Sequence, residues 1–210
     1  MDLVDRRIED YVRSLTSPLD GLLEELEEMT LSRTAHPNFL TGRVEGAFLR
    51  MLVQIIGART VVEVGTYTGY SALMMASALP VDGRLYTLDI DPDMMALAQS
   101  YFFRAPYGEK IVPVLGDARR TLDELPGPID LAFIDADKTS YEHYYEVLLT
   151  KLRPGGLMAL DNTLWYGSVL SPSDEDARAI ASLNERISRD DRVEAVILTV
   201  RDGVTLVRKR

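Results

Sequence analysis

Short apolar runs alternating with helical stretches between about residues 61 and 160, then two further runs around an Asp-Gly turn, predict an α/β fold. The expected architecture is a Rossmann-like, seven-stranded, mostly parallel sheet with a C-terminal antiparallel hairpin and a helical N-terminal extension. A length of 210 residues suits a single domain, with 1–57 as a helical cap and 58–210 as the sheet-bearing core.

The elements follow in order. Ser17-Pro18 reads as a helix start, and Leu19, Leu22, Leu23, Leu26 and Met29 recur at helical spacing. Glu24, Glu25, Glu27 and Glu28 between them read as a solvated face. Val44, Ala47, Phe48, Met51, Leu52 and Ile55 mark a second amphipathic helix that ends near Gly57. Strands are expected at Val61 to Val64, Arg84 to Leu88, Ile111 to Leu115, Ile129 to Ile134 and Leu157 to Leu160, each bounded by Gly, Pro or Asp. Val193 to Val200 and Val204 to Val207 flank Arg201-Asp202-Gly203 and read as the closing hairpin.

Composition removes several functional classes. Lys plus Arg number 23 against 33 Asp plus Glu, a net charge of −10, which argues against nucleic acid or anionic membrane as a partner. Without cysteine there is no disulfide, thiolate nucleophile or Cys-ligated zinc, and His36 and His143 are the only histidines. The first ten residues are charged and no run approaches a membrane span, so a soluble, cytoplasmic protein is expected.

The first strand runs into Glu63-Val64-Gly65-Thr66-Tyr67-Thr68-Gly69-Tyr70-Ser71 and then an apolar helix. Glycines at a strand-to-helix turn let the backbone approach a ligand at the carboxyl ends of the strands. Asp89, at the end of the second strand, suits the two hydroxyls of a ribose, whereas Asp91 before Pro92 reads as a helix cap. The glycine spacing G-x-x-x-G lacks the pyrophosphate nest of a dinucleotide site. It favours a nucleoside without phosphates, such as S-adenosylmethionine, over the rival NAD(P)-dependent oxidoreductase.

Two further strands end in Asp135-Ala136-Asp137-Lys138 and Asp161-Asn162-Thr163-Leu164-Trp165. Both are expected beside the first strand, bringing Asp135, Asp161 and Asn162 to the glycine turn. Three hard oxygen ligands select a cation such as Mg²⁺, with positions left for the two adjacent hydroxyls of a catechol. The simpler reading makes the two aspartates helix caps. Trp165 and Tyr166 could wall a flat acceptor, with core packing the equal alternative for Trp165.

These segments, with Gly116-Asp117-Ala118, resemble the cation-dependent O-methyltransferases of the catechol and caffeoyl-CoA type from about Thr34 to the C-terminus. The resemblance implies a methyltransferase fold that binds S-adenosylmethionine through Thr41, Glu63, Gly65, Thr66, Ser71, Asp89, Ala118 and Asp137. It implies Mg²⁺, or another divalent ion such as Ca²⁺ or Mn²⁺, on Asp135, Asp161 and Asn162, and Lys138 as general base. A surface lysine paired with Glu142 is the plainer alternative for Lys138. The expected acceptor is a small aromatic diol, either a free catechol, a hydroxycinnamate or a CoA ester. Arg6, Arg7 and Arg13 do not align with the basic residues that hold CoA in the plant enzymes. The helical N-terminus is the expected homodimer surface.

Overall fold

The structure is a computed structural model that describes residues 3–17 and 20–210. Helices α1 (Arg6–Leu15), α2 (Gly21–Arg33) and α3 (Gly42–Ile55) precede the sheet. Then follow β1 (Thr60–Val64), α4 (Tyr70–Ala76), β2 (Arg84–Asp89), α5 (Pro92–Arg104), β3 (Ile111–Leu115), α6 (Ala118–Glu124), β4 (Ile129–Ile134), α7 (Tyr141–Lys151) and β5 (Leu152–Leu160). Helix α8 (Glu175–Ser188) leads to β6 (Val193–Leu198) and β7 (Val204–Lys209). The strand order is β3-β2-β1-β4-β5-β7-β6, parallel from β3 through β5, with β7 antiparallel to both its neighbours.

Pleating sends alternate side chains of each inner strand to opposite faces, and both faces are covered. Val61, Leu85, Leu131, Phe133 and Ala159 pack with α2 to α5, while Val62, Val64, Leu88, Ile134 and Leu160 pack with α6 to α8. This explains why these strands read as unbroken apolar runs. Pro113 fits β3 because that strand lies at the sheet edge.

Several local expectations change. Helix α2 begins at Gly21, where the Asp20 carboxylate accepts the Leu23 N–H at 2.9 Å. The Ser17 carbonyl is instead taken by the Arg43 guanidinium, and the expected Pro18 and Leu19 lie outside the described residues. Glu27 is buried and paired with Arg13, so the glutamate run is not wholly a solvated face. Strand β5 starts five residues earlier than its apolar run, because the turn-like Arg153-Pro154-Gly155-Gly156 is absorbed as an irregularity opposite β4. Strand β5 pairs with β4 and β7, so it is not beside β1. No described helix is long and apolar enough to cross a membrane.

Asp130 ties three strands together at the end of the sheet away from the turns. Its carboxylate accepts the N–H groups of Arg59 and Thr60, both at 2.8 Å, and the Arg153 Nε at 2.6 Å. Burial pushes its carboxyl up, but the Thr60 N–H, the Arg153 guanidinium and the Arg59 N–H together hold it below the ordinary value. Asp130→Ala should therefore cost about 1–3 kcal/mol at neutral pH. A depressed folded-state pKa stabilises above the unfolded value near 4, and that contribution fades as pH falls through the lower folded value. Urea unfolding of both proteins from pH 7 to 3 checks this: the gap should narrow in acid, and a constant gap would contradict it.

Candidate active site

The carboxyl ends of β1, β2, β4 and β5 open into one cavity of about 930 Å³. On one side the turn after β1 is shaped by Gly65, at φ +100°, whose N–H continues the ladder to the Leu88 carbonyl at 2.9 Å. A Cβ at this position would lie 1.8 Å from the Asp135 carbonyl oxygen, so only glycine lets the β1 turn and the β4 end meet. Asp89 Oδ2 accepts the N–H groups of Thr66 and Tyr67 at 3.0 and 2.7 Å, and Asp89 Oδ1 accepts that of Asp91 at 2.9 Å. The carboxylate thus holds the turn while still facing the cavity. Asp91 caps α5, as its sequence setting indicated.

Thr41, Gly65, Thr66, Ser71, Asp89, Ala118 and Asp137 all line the cavity. Glu63 lies beneath its floor, fully buried, and accepts a hydrogen bond from Thr87 Oγ1 at 2.5 Å while Oε1 has no partner among the described residues. Burial pushes its carboxyl up to about 8, against the pull of the Ser71 and Thr87 hydroxyls. Asp137 accepts from the Tyr144 hydroxyl at 2.8 Å. Along the rim His36 stacks on Phe39, ring centroids 4.8 Å apart, and Phe39 meets Tyr67 edge to face at 5.8 Å.

The other side belongs to the ends of β4 and β5, which run side by side with Ile134 opposite Leu160. Asp135 is 22% exposed, and its Oδ1 accepts from Lys138 Nζ at 3.2 Å. Lys138 is only 7% exposed and also donates to the Tyr141 hydroxyl at 2.6 Å. Its Nζ lies 4.5 Å from the Tyr141 ring centre and 5.7 Å from that of Trp165. The reading of Lys138 as a surface lysine paired with Glu142 is therefore corrected: Glu142 pairs with Arg186 across the α7–α8 contact.

Asp161 is buried, and Oδ1 accepts the Asn162 N–H at 2.7 Å. Burial pushes its carboxyl up and the charge of Asp135 adds to this, against Arg201 and Lys138. Asn162, Trp165 and Tyr166 all have φ between 45° and 57°. Such conformations persist only when the surroundings dictate them. Here the Thr163 and Leu164 N–H groups donate to the Gly203 and Asp202 carbonyls at 2.9 Å, and the Asp202 carboxylate accepts the Tyr166 N–H. Neither Asp135 nor Asp161 caps a helix through its side chain.

Glu45 was not expected here. It is wholly buried on α3 and forms an ion pair with Arg201 at 2.9 Å. Burial, then the neighbouring Asp161, pushes its carboxyl well above the ordinary range, with Arg201 opposing. Its signal was a charge on the buried face of α3, in line with Leu49, Leu52 and Val53. Arg201 sat in what read as a plain hairpin turn and gave no signal.

The donor chemistry suits a hard cation. Asp135 presents a part-exposed carboxylate paired with Lys138, Asp161 a buried one whose charged form burial opposes, and Asn162 adds an amide oxygen. Among the described residues no three His, Cys, Asp or Glu side chains group as a metal cage, so that third oxygen would have to come from Asn162.

The chain matches the family described as O-methyltransferase over residues 13–210. It is 43% identical over 203 residues to caffeoyl-CoA O-methyltransferase 2 of Zea mays, covering 89% of this chain and 76% of that protein. Among solved structures it resembles the O-methyltransferase of Bacillus cereus in complex with SAH, at 30% identity and a TM-score of 0.88, covering 97% of each chain. It also resembles the Streptomyces achromogenes O-methyltransferase involved in tomaymycin synthesis, in complex with SAM. The identity is 27% and the TM-score 0.89, with 97% and 96% of the two chains covered.

The contact between Gly65 and Asp135 is directly testable. Gly65→Ala should lose on the order of 2–5 kcal/mol of stability, from the left-handed backbone and the forced displacement of β4. Denaturant unfolding reads this, and a loss below about 1 kcal/mol would show that the turn relaxes freely.

Proposed function

The chain belongs to the O-methyltransferase family, and from that premise we propose that it transfers the methyl group of S-adenosylmethionine to one hydroxyl of a small aromatic 1,2-diol, with a divalent cation bound. The observation that carries this reading is the pair Asp135 and Lys138 beside the buried Asp161 at the ends of two adjacent strands.

The cofactor half of the cavity would take the nucleoside. Asp89 keeps lone pairs for the ribose hydroxyls, and the rim of His36, Phe39 and Tyr67 supplies apolar cover. The Oε1 of Glu63, without a partner among the described residues, would suit an N–H donor such as the cofactor's ammonium group. An NAD(P) reading has less support, since Gly65 and Gly69 form no compact pyrophosphate nest.

On the acceptor half, Asp135, Asp161 and Asn162 would hold Mg²⁺, Ca²⁺ or Mn²⁺. A bound divalent ion supplies Lewis acidity that favours the ionised diol and fixes its two oxygens. Lys138 Nζ, held by Tyr141 and Asp135, first releases a proton of its own to solvent and then, as the neutral amine, takes the hydroxyl proton. The oxygen's electron pair then forms the bond to the methyl carbon as the carbon–sulfur bond breaks and its pair remains on sulfur. Trp165 and Tyr166 form the wall along which the aromatic ring lies, and the cavity has room for both molecules.

We also propose a homodimer built on α1, where Ile8, Tyr11, Val12 and Leu15 make an exposed apolar stripe at helical spacing. Replacing Tyr11 and Leu15 by Glu should shift the protein to a monomer on size-exclusion chromatography. A wild type that already elutes as a monomer would remove the proposal.

Asp135→Ala should abolish Mg²⁺-dependent methylation of a catechol while the circular dichroism spectrum stays native. Full turnover in that variant, or in excess chelator, would sink the cation reading. Lys138→Ala should lower kcat about 10²–10⁴-fold with little change in cofactor affinity. A kcat within threefold of wild type would exclude Lys138 as the base.

A further inference from the structure

Arg201, in the turn between β6 and β7, adopts φ +48°, a left-handed conformation that disfavours any residue carrying a Cβ. Neighbouring contacts keep the turn from relaxing, because Gly203 and Asp202 carbonyls accept the N–H groups of Thr163 and Leu164. Strain retained in such a place is accounted for by what the side chain does.

The guanidinium reaches across the cavity mouth to α3. Its Nη1 donates to Glu45 Oε2 at 2.9 Å and to the Thr41 carbonyl. The side chain remains 35% exposed and lines the same wall as Asp161, Asn162 and Trp165. All of its protein contacts run through Nη1, so among the described residues Nε and Nη2 have no acceptor. A guanidinium fixed at one corner, with its other donors turned to a cavity, is arranged for a planar anion. A carboxylate matches that fork, which an ammonium could not present.

We infer that Arg201 is a carboxylate-binding residue of this cavity. The carboxylate comes either from the aromatic diol, carried on its ring or a short side chain, or from the amino-acid end of the methyl donor. This rests on the methyl-transfer reading, which brings both molecules to the site. Glu45 acts as the anchor that aims the fork, since it is wholly buried and fixed on α3.

Two measurements on the full chain separate the sources. Calorimetry titrates S-adenosylhomocysteine, and separately 3,4-dihydroxybenzoate, into metal-free wild type and Arg201→Gln. Kinetics with S-adenosylmethionine and Mg²⁺ give the ratio of kcat/KM for 3,4-dihydroxybenzoate to that for catechol. If the acceptor supplies the carboxylate, Arg201→Gln lowers that ratio, and the affinity for dihydroxybenzoate, by about tenfold or more. If the donor supplies it, the Kd for S-adenosylhomocysteine rises by about tenfold or more while the ratio holds. Arg201→Lys keeps the charge without the fork and should show the same loss in smaller measure. It also serves where Arg201→Gln does not fold. Values all within about threefold of wild type would overturn the assignment. Failure of the methyl-transfer reading is distinct: wild type then methylates neither diol, and the two titrations still decide the role of Arg201.

Discussion

The meeting of Gly65 with the Asp135 carbonyl is the constraint on which the cavity depends. Parallel pairing places Val64 opposite both Leu88 and Ile134, so the chain leaving β1 must turn directly over the ends of β2 and β4. A side chain at residue 65 would push β4 away and carry Asp135 with it. Because that turn is tight, its next two N–H groups fall onto Asp89, and one short loop faces the two halves of the cavity at once. This lies where the strand order reverses between β1 and β4, the usual ligand crevice of an open α/β sheet.

Charge is distributed around that turn with different solutions on each side. Asp89 is met by three backbone N–H groups, which hold it without any cation. Asp135, Asp161 and Glu45 instead share two cationic side chains, Lys138 and Arg201, and burial works against the ionisation of Asp161 and Glu45. Glu63 sits apart below the floor with one oxygen unmet. Groups arranged this way gain from ligands that bring positive charge and N–H donors, which agrees with the chemistry proposed for the site.

Much of this was legible in the sequence, for physical reasons that can be named. The strands of the inner sheet are buried on both faces and so appear as apolar runs, and the residues just beyond their carboxyl ends stand out as Gly65, Asp89, Asp135 and Asp161. Boundaries failed where a turn-like composition hides an extended backbone, as at Pro154 and Gly155 in β5, or where Asp20 competes with Ser17 as a helix cap. The link between Arg201 and Glu45 joins residues 156 positions apart, and nothing in a local pattern pairs them. Tyr141 was missed for a related reason: its hydroxyl holds Lys138 from the start of α7, and nothing in the local sequence marks it.

The order of the last two strands has a consequence for synthesis. Strand β7 fills the gap between β5 and β6 although it is made after both. While the chain emerges, β5 therefore keeps an open edge and β6 has no sheet to join, a state prone to pairing with other chains. The segment from Asp161 to Tyr166 likewise lacks the turn around Asp202 that pins its strained backbone. Closure of the sheet and fixing of the segment from Asp161 to Tyr166 thus become a single late event of folding.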